Sequence, residues 1–139
     1  MDVYSILKKD HESIRRMFSE FMDKKEQAGG DLFYQIKNKL TAHMKAEESF
    51  FYPVLEQDES TREPTLESIE EHHVTKLLLG ELEGMSPKDD HWVPKMKVLR
   101  EVTEHHLEEE EESLFTEAHK AMSDQQAQDI GRKVSDILR

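Results

Sequence analysis

No cysteine occurs in the 139 residues, which removes disulfides, zinc-thiolate sites and thiol nucleophiles from consideration. Glycine and proline are scarce, at five and four residues, too few for the many turns of an all-β chain. No apolar run approaches the roughly 20 residues needed to span a bilayer, and the opening MDVYSILKKDHESI has no signal-peptide core. The expectation is a cytoplasmic protein without membrane attachment. Positive charge is short as well: 19 Lys and Arg against 31 Asp and Glu leave a net charge of −12. Such a surface repels phosphates, so nucleic acid is not an expected partner and cations are the natural counterparts.

What remains is helical patterning, with 36% charged and 35% hydrophobic residues in a chain long enough for one core. The first helix is expected from Asp2 to Gln27, ending at Gly29-Gly30. The second should start at Asp31 as N-cap and run to about Gln57, with Pro53 kinking or ending its last turn. Ser60 to Glu63 reads as a link, Pro64 to Glu83 as the third helix, and Gly84 as a left-handed cap. The fourth runs from Asp90 or Pro94 to Lys120, and Ser123-Asp124-Gln125-Gln126 has the form of a capping box opening a last helix to Leu138. Short connections imply antiparallel neighbours. The expected fold is all-α, an up-down-up-down antiparallel four-helix bundle over about 1–120 with a short additional C-terminal helix over about 123–138, one domain spanning 1–139.

Ionisable residues stand on faces that should be dry. At about 100° per residue, Leu32, Ile36, Leu40, His43, Glu47, Phe50 and Val54 share a sector of roughly 80°. Leu7, His11, Ile14, Phe18 and Phe21 form one stripe on the first helix. On the fourth, the apolar residues Val98, Leu99, Val102 and Leu114 enclose His106 and Glu110, with His105 at the edge. On the third, Leu77-Leu78-Leu79 smears the stripe and periodicity slightly favours His73 over His72. An internal repeat points the other way. DHESIRRMFSEF aligns with EHHVTKLLLGEL, pairing Asp10 with Glu71, His11 with His72 and Arg15 with Lys76; Glu47-Glu48 and Phe51-Tyr52 likewise pair with Glu110-Glu111 and Leu114-Phe115.

Each half thus contributes a lone histidine and a His-x3-Glu pair. Four imidazoles and two carboxylates are enough donors for two first-row transition metals with bridging carboxylates and open positions; without thiolate, iron or manganese suits them, with zinc as a further candidate. Burying six such groups without a metal is costly, so removal of metal is expected to leave one or more of Glu47 and Glu110 protonated. Glu48 and Glu111 fall outside the ligand set, and nothing in the spacing brings Tyr4, Tyr34 or Tyr52 to it.

DH at 10 and 11, H-x3-EE-x2-FYP at 43–53, EEHH-x2-K-x-LL at 70–78 and H-x3-EE-x2-LF at 106–115 together make the chain resemble the hemerythrin-like, or HHE cation-binding, family over about Met1 to Lys120. The resemblance implies a non-haem di-iron centre with an oxo or hydroxo bridge, Glu47 and Glu110 bridging, and His11, His43, His72 and His106 as terminal ligands. It implies reaction with O2, peroxide or NO in oxidative or nitrosative stress or iron handling, as an enzyme or as a binding protein. The alternatives are reversible O2 carriage and an iron- or oxygen-sensing module acting through a protein partner. Oxygen-carrying hemerythrins have a fifth histidine from a His-x3-His on the third helix. Here Lys76 follows His72 at i+4 and Ser68 precedes it at i−4, which is expected to leave a vacancy on each metal unless water or another residue fills it.

Overall fold

The structure, a computed structural model, describes residues 1–139 except for the side chain of Glu26. It is all-helical: α1 (Val3–Lys24), α2 (Gly29–Ala46), α3 (Tyr52–Glu56), α4 (Glu59–Glu83), α5 (Trp92–Glu109), α6 (Phe115–Ala121) and α7 (Asp124–Leu138), with no strand among the described residues. α1 packs on α2, α4 on α3 and α5, and α7 crosses α1 and α2.

Several boundaries differ from the sequence-based expectation. α1 ends at Lys24, and a 3-10 turn, Lys25–Ala28, leads to Gly29 at φ 65°, so Gly29 and Gly30 open α2 instead of preceding it. Asp31 is then a first-turn acid favoured by the helix dipole and not the N-cap. Ser60 to Glu63 belong to α4, because the Asp58 side chain accepts from Ser60 N at 2.9 Å and starts the helix before Pro64. Pro64 sits inside that helix at the cost of one backbone bond. Gly84 caps α4 at φ −84°, outside the left-handed region. The capping box at Ser123 and Gln126 forms in both directions, at 3.1 and 2.9 Å.

Two π-helical turns, Glu47–Phe51 and Glu110–Leu114, interrupt the long helices at corresponding places in the two halves. Each inserts one residue into the local repeat and rotates the following face. Burial therefore runs 47, 51, 52, 55 in the first half and 110, 114, 115, 118 in the second. Phe50 and Val54, expected in the core stripe, are only partly buried; Phe51, Tyr52 and Leu55 take their places. Pro53, which cannot donate to a carbonyl four residues back, follows the first π-turn, but the second forms without a proline.

The apolar core falls into two clusters. One, near α7, includes Val3, Tyr4, Leu7, Phe51, Leu55, Leu114 and Phe115; the other includes Ile14, Phe18, Phe21, Ile36, Leu40, Trp92 and Leu99. His11 lies in sequence between Leu7 of the first and Ile14 of the second, so the buried polar layer is flanked by hydrocarbon on both sides. Val98, read as core, is exposed on α5.

The seat of α7 depends on Gly131. A Cβ there would lie 2.7 Å from the Met1 carbonyl oxygen and 3.0 Å from Val3 N, both backbone atoms that cannot swing aside. Gly131→Ala is expected to push α7 off the start of α1 and destabilise the protein by about 1–3 kcal/mol despite the better helix propensity of alanine. Urea unfolding of the variant checks this; unchanged stability would show that the contact gives way.

Candidate metal centre

α1, α2, α4 and α5 each carry one histidine into the buried layer. His11 and His43 stand on stripes of α1 and α2 that include Leu7, Ile14 and Leu40. On α4 the inward stripe is Thr61, Thr65, Ser68, His72, Thr75, Leu79 and Leu82. Its hydroxyls are accommodated locally, with Thr61 Oγ1 donating to the Leu55 carbonyl and Thr65 Oγ1 to the Thr61 carbonyl, both at 2.6 Å. Of the apolar residues of α4, Val74 and Leu77, which flank the His72 turn, face solvent, and Leu79 and Leu82 are buried. That inversion explains why hydrophobic periodicity leaned toward His73, which is exposed, whereas His72 is 2% exposed. On α5, His106 is buried beside Glu110, and the His105 side chain is 66% exposed.

The six side chains form two groups of four with Glu47 and Glu110 common to both: His11, His43, Glu47, Glu110, and Glu47, His72, His106, Glu110. Within each group the ligand atoms lie within 4.8 Å of one another. His11 Nε2 is 3.3 Å from Glu110 Oε1, His43 Nε2 is 3.3 Å from Glu47 Oε1, and His72 Nε2 is 3.0 Å from Glu47 Oε1. His106 Nε2 is 3.4 Å from Glu110 Oε2. Four of these atoms, His11 Nε2, His43 Nε2, Glu47 Oε2 and Glu110 Oε1, are buried without a hydrogen-bond partner among the described residues. Convergent donor atoms left unpartnered in a dry layer are what a cation satisfies, once it has displaced the protons they carry.

Every ring is held from behind by a carboxylate. His11 Nδ1 donates to Glu111 at 2.6 Å, His43 Nδ1 to Asp10 at 2.7 Å, His72 Nδ1 to Glu48 at 2.6 Å and His106 Nδ1 to Glu71 at 2.6 Å. A carboxylate only accepts, so each Nδ1 bears hydrogen and each Nε2 is aimed inward, the orientation metal-binding imidazoles require. Asp10 and Glu71 immediately precede the lone histidines, and Glu48 and Glu111 immediately follow the inward glutamates. Adjacent residues on one helix therefore serve different rings, which ties the helices into a closed circuit. Asp10→Ala is expected to weaken metal binding about 10- to 100-fold, as loss of such an orienting partner does elsewhere; chelator competition measures it, and unchanged affinity would mean that packing alone holds His43.

Tyr52 enters the same layer. The first π-turn bonds Tyr52 N to the Glu47 carbonyl, stacking the tyrosine one turn above the glutamate. Its hydroxyl donates to Glu47 Oε1 at 3.1 Å, bonds Glu110, and lies 3.3 and 3.4 Å from the Nε2 atoms of His72 and His106. The repeat places Phe115 at the corresponding position, where it stacks on His11 with ring centroids 6.0 Å apart. The phenol thus reaches the His72–His106 side, as a residue able to fill a vacancy there, while a plain phenyl ring walls the His11–His43 side. The register shift of the π-turn is the reason, and the FY–LF pairing of the repeat was its only trace in the sequence. Lys76 points outward to Glu48 at 2.9 Å, and Ser68 is buried on the α4 stripe.

Protons in the metal-free cluster reside on imidazole more than expected. Burial opposes charge on His43, but Glu47 and the bonds to Asp10 and Glu47 outweigh it and raise the ring to about 10. Burial opposes charge on His106 too, and the Glu110 charge with bonds to Glu110, Glu47 and Glu71 raises it well above the ordinary value. His11 and His72 shift in the same direction, burial being overcome by bonds to Glu110 and Glu111 and to Glu47 and Glu48 respectively. Glu47, pushed up by burial, is held well below the carboxylate range by the His43 charge and by hydrogen bonds with Glu110, His106 and His43, so its ionised form is the favoured one. Burial and the nearby Glu110 and Glu47 charges keep the Tyr52 phenol protonated.

Known proteins agree with this picture. A crystal structure of a hemerythrin HHE cation binding domain-containing protein from Mycobacterium kansasii superposes with a TM-score of 0.83 at 19% identity, covering 99% of this chain and 85% of that one. A DNA nickase from Nostoc sp. is 26% identical over 129 residues, 92% of this chain but 36% of that protein's length. No helix among the described residues is long and apolar enough to cross a membrane. Residues 2–118 match the hemerythrin HHE cation binding domain, and with its buried His/Glu cluster able to bind a metal the chain belongs to that family.

Proposed function

We propose that the protein is a non-haem di-iron protein, built as an up-down-up-down four-helix bundle with α7 appended, whose centre reacts with O2, peroxide or NO. The observation that carries this reading is the pair of four-donor groups sharing Glu47 and Glu110, an arrangement fitted to two cations with bridging carboxylates. A pair of iron ions there would supply redox electrons and coordination positions for a small oxidant. The chain's own residues do the rest. Four carboxylates hold the imidazoles in one tautomer, and the flanking apolar clusters keep bulk water out.

Tyr52 makes the two positions unequal. On the His72–His106 side the phenol would offer a fifth oxygen or nitrogen donor to a bound cation; on the His11–His43 side the protein would offer four, beside the ring of Phe115. The His11–His43 side, with fewer protein donors, would be the one left open to a small molecule. Once cations offset the Glu47 and Glu110 charges, the Tyr52 hydroxyl gives up its proton far more readily than in the metal-free protein. In the iron-loaded, oxidised protein it should produce a visible phenolate-to-iron absorption that is lost in Tyr52→Phe while iron content is retained. Equal spectra for the two proteins would place the phenol outside the coordination sphere.

The experiment that tests the reading is to load iron, reduce without air, and follow the spectrum on adding O2 and then removing it under vacuum. Irreversible oxidation, together with reaction toward peroxide or NO, is expected. Full return of the colourless reduced state would instead establish an oxygen carrier, and failure to take up iron would remove the proposal. The match to part of a much longer DNA nickase favours a second reading, a metal-responsive module within or beside another protein. The net charge of −12 argues against this domain itself holding a phosphate backbone.

A further inference from the structure

Besides Tyr52 against Phe115, the two halves of the chain differ around the buried cluster at one of the carboxylates behind the rings. Three of the four acids behind the rings carry a basic side chain on their outer face: Lys39 on Asp10, Lys76 on Glu48 and Arg15 on Glu111, the last two at 2.9 and 3.0 Å. Glu71, which holds His106, has no lysine or arginine there among the described residues. The repeat puts Val102 where the first half has Lys39, so the covering cation is missing by sequence as well as by geometry.

The residues that replace it are unusual. His105 and Glu109 stand where the first half has Ala42 and Ala46, one i,i+4 pair displaced outward from His106 and Glu110. His105 Nε2 is 3.5 Å from Glu109 Oε1 and 4.0 Å from Glu71 Oε2, and the three ligand atoms lie within 4.8 Å of one another. An additional carboxylate has thus been brought beside Glu71, where the other half brings a lysine. Two neighbouring carboxylates repel unless they share a proton or a cation lies between them, and an imidazole at the same point favours a transition-metal ion over calcium or magnesium.

We propose that Glu71, His105 and Glu109 form a surface site for one exchangeable first-row divalent cation, separate from the buried cluster and joined to it through Glu71. One oxygen of Glu71 accepts from His106 Nδ1 while the other faces His105. The cation does on this side what Lys39 does for Asp10. Water completes its coordination, since His105 and Glu109 are both substantially exposed.

Equilibrium dialysis of the iron-loaded protein against Zn2+ tests this, with zinc and iron counted per chain. One zinc ion beyond the buried metal is expected, its affinity weakened roughly tenfold or more in His105→Ala and in Glu109→Gln. His73→Ala, which removes an exposed histidine of α4 outside the cluster, should bind as the parent does. Both tested side chains are exposed, and circular dichroism checks that the variants fold. No additional zinc, or losses no greater in His105→Ala than in His73→Ala, would overturn the proposal. The outcome is independent of the di-iron reading: if iron fails to load, total zinc changes, but the difference of one ion between the parent and His105→Ala remains.

Discussion

Glu110→Ala is expected to strip the buried centre of both metals, whereas His105→Ala leaves the buried metal in place. Glu110 belongs to both four-donor groups, approaches His11 and His106 from opposite sides, and is fully buried. Its removal leaves three protein donors on one side, His11, His43 and Glu47, and four on the other only if the Tyr52 phenol is counted. It also removes half of the negative charge at the middle of the layer, which two dications need in order to leave water. His106→Ala should lose the metal of its own side first, with the other held more weakly through Glu47. Metal content of the purified variants after dialysis against chelator decides it, and near-parental content in Glu110→Ala would show that Glu110 is not shared. Circular dichroism separates metal loss from misfolding.

Withdrawing metal should lower the melting temperature by roughly 10–20 °C, because a ligand bound only to the native state at a thousandfold excess over its Kd contributes about 4 kcal/mol. The gap should widen as pH rises, for two reasons of the same sign. In the metal-free protein the four imidazoles are raised above their unfolded value of 6.5, His43 to about 10. A raised folded value contributes stability that is complete below about 6.5 and is lost as pH climbs through the folded value. The metal-free form therefore weakens between about pH 6.5 and 10, while Asp10, Glu47, Glu48, Glu71 and Glu111, all held below the ordinary carboxylate value, add no slope there. Metal binding needs free Nε2 atoms, so loading near pH 7 should release about two to four protons per chain, and affinity rises with pH. Calorimetry in buffers of different ionisation enthalpy counts the protons. No release, or a gap that narrows toward pH 9, would mean that the imidazoles are neutral before metal arrives.

How much of this was legible beforehand follows from the range over which each signal acts. Hydrophobic periodicity is local, so it located the long helices and put His11, His43 and His106 on inward faces. It failed on α4, whose buried stripe is Thr and Ser around His72 and turns to Leu79 and Leu82 only near its end, while Val74 and Leu77 look outward; only the internal repeat, which records shared geometry and not apolarity, pointed to His72. The capping box at Ser123 was readable because its two hydrogen bonds join residues three apart. The early start of α4 was missed because Pro64 reads as a boundary, although one lost bond is a small cost inside a packed helix.

The sequence by itself determined an acidic, cysteine-free helical chain with a repeated pattern of one lone histidine and one His-x3-Glu per half. Tertiary structure decided what those residues meet. The π-turns have no side-chain signature, since a helix of either repeat uses the same residues, yet the one after Glu47 carries Tyr52 into the layer. The four Nδ1 contacts join residues 24 to 100 positions apart, and the two groups exist as groups only when four helices place Glu47 and Glu110 between them. Donor types follow from composition and spacing; which donors share a cation, and which oxygen holds which ring, follow from distances of a few ångströms that only packing sets.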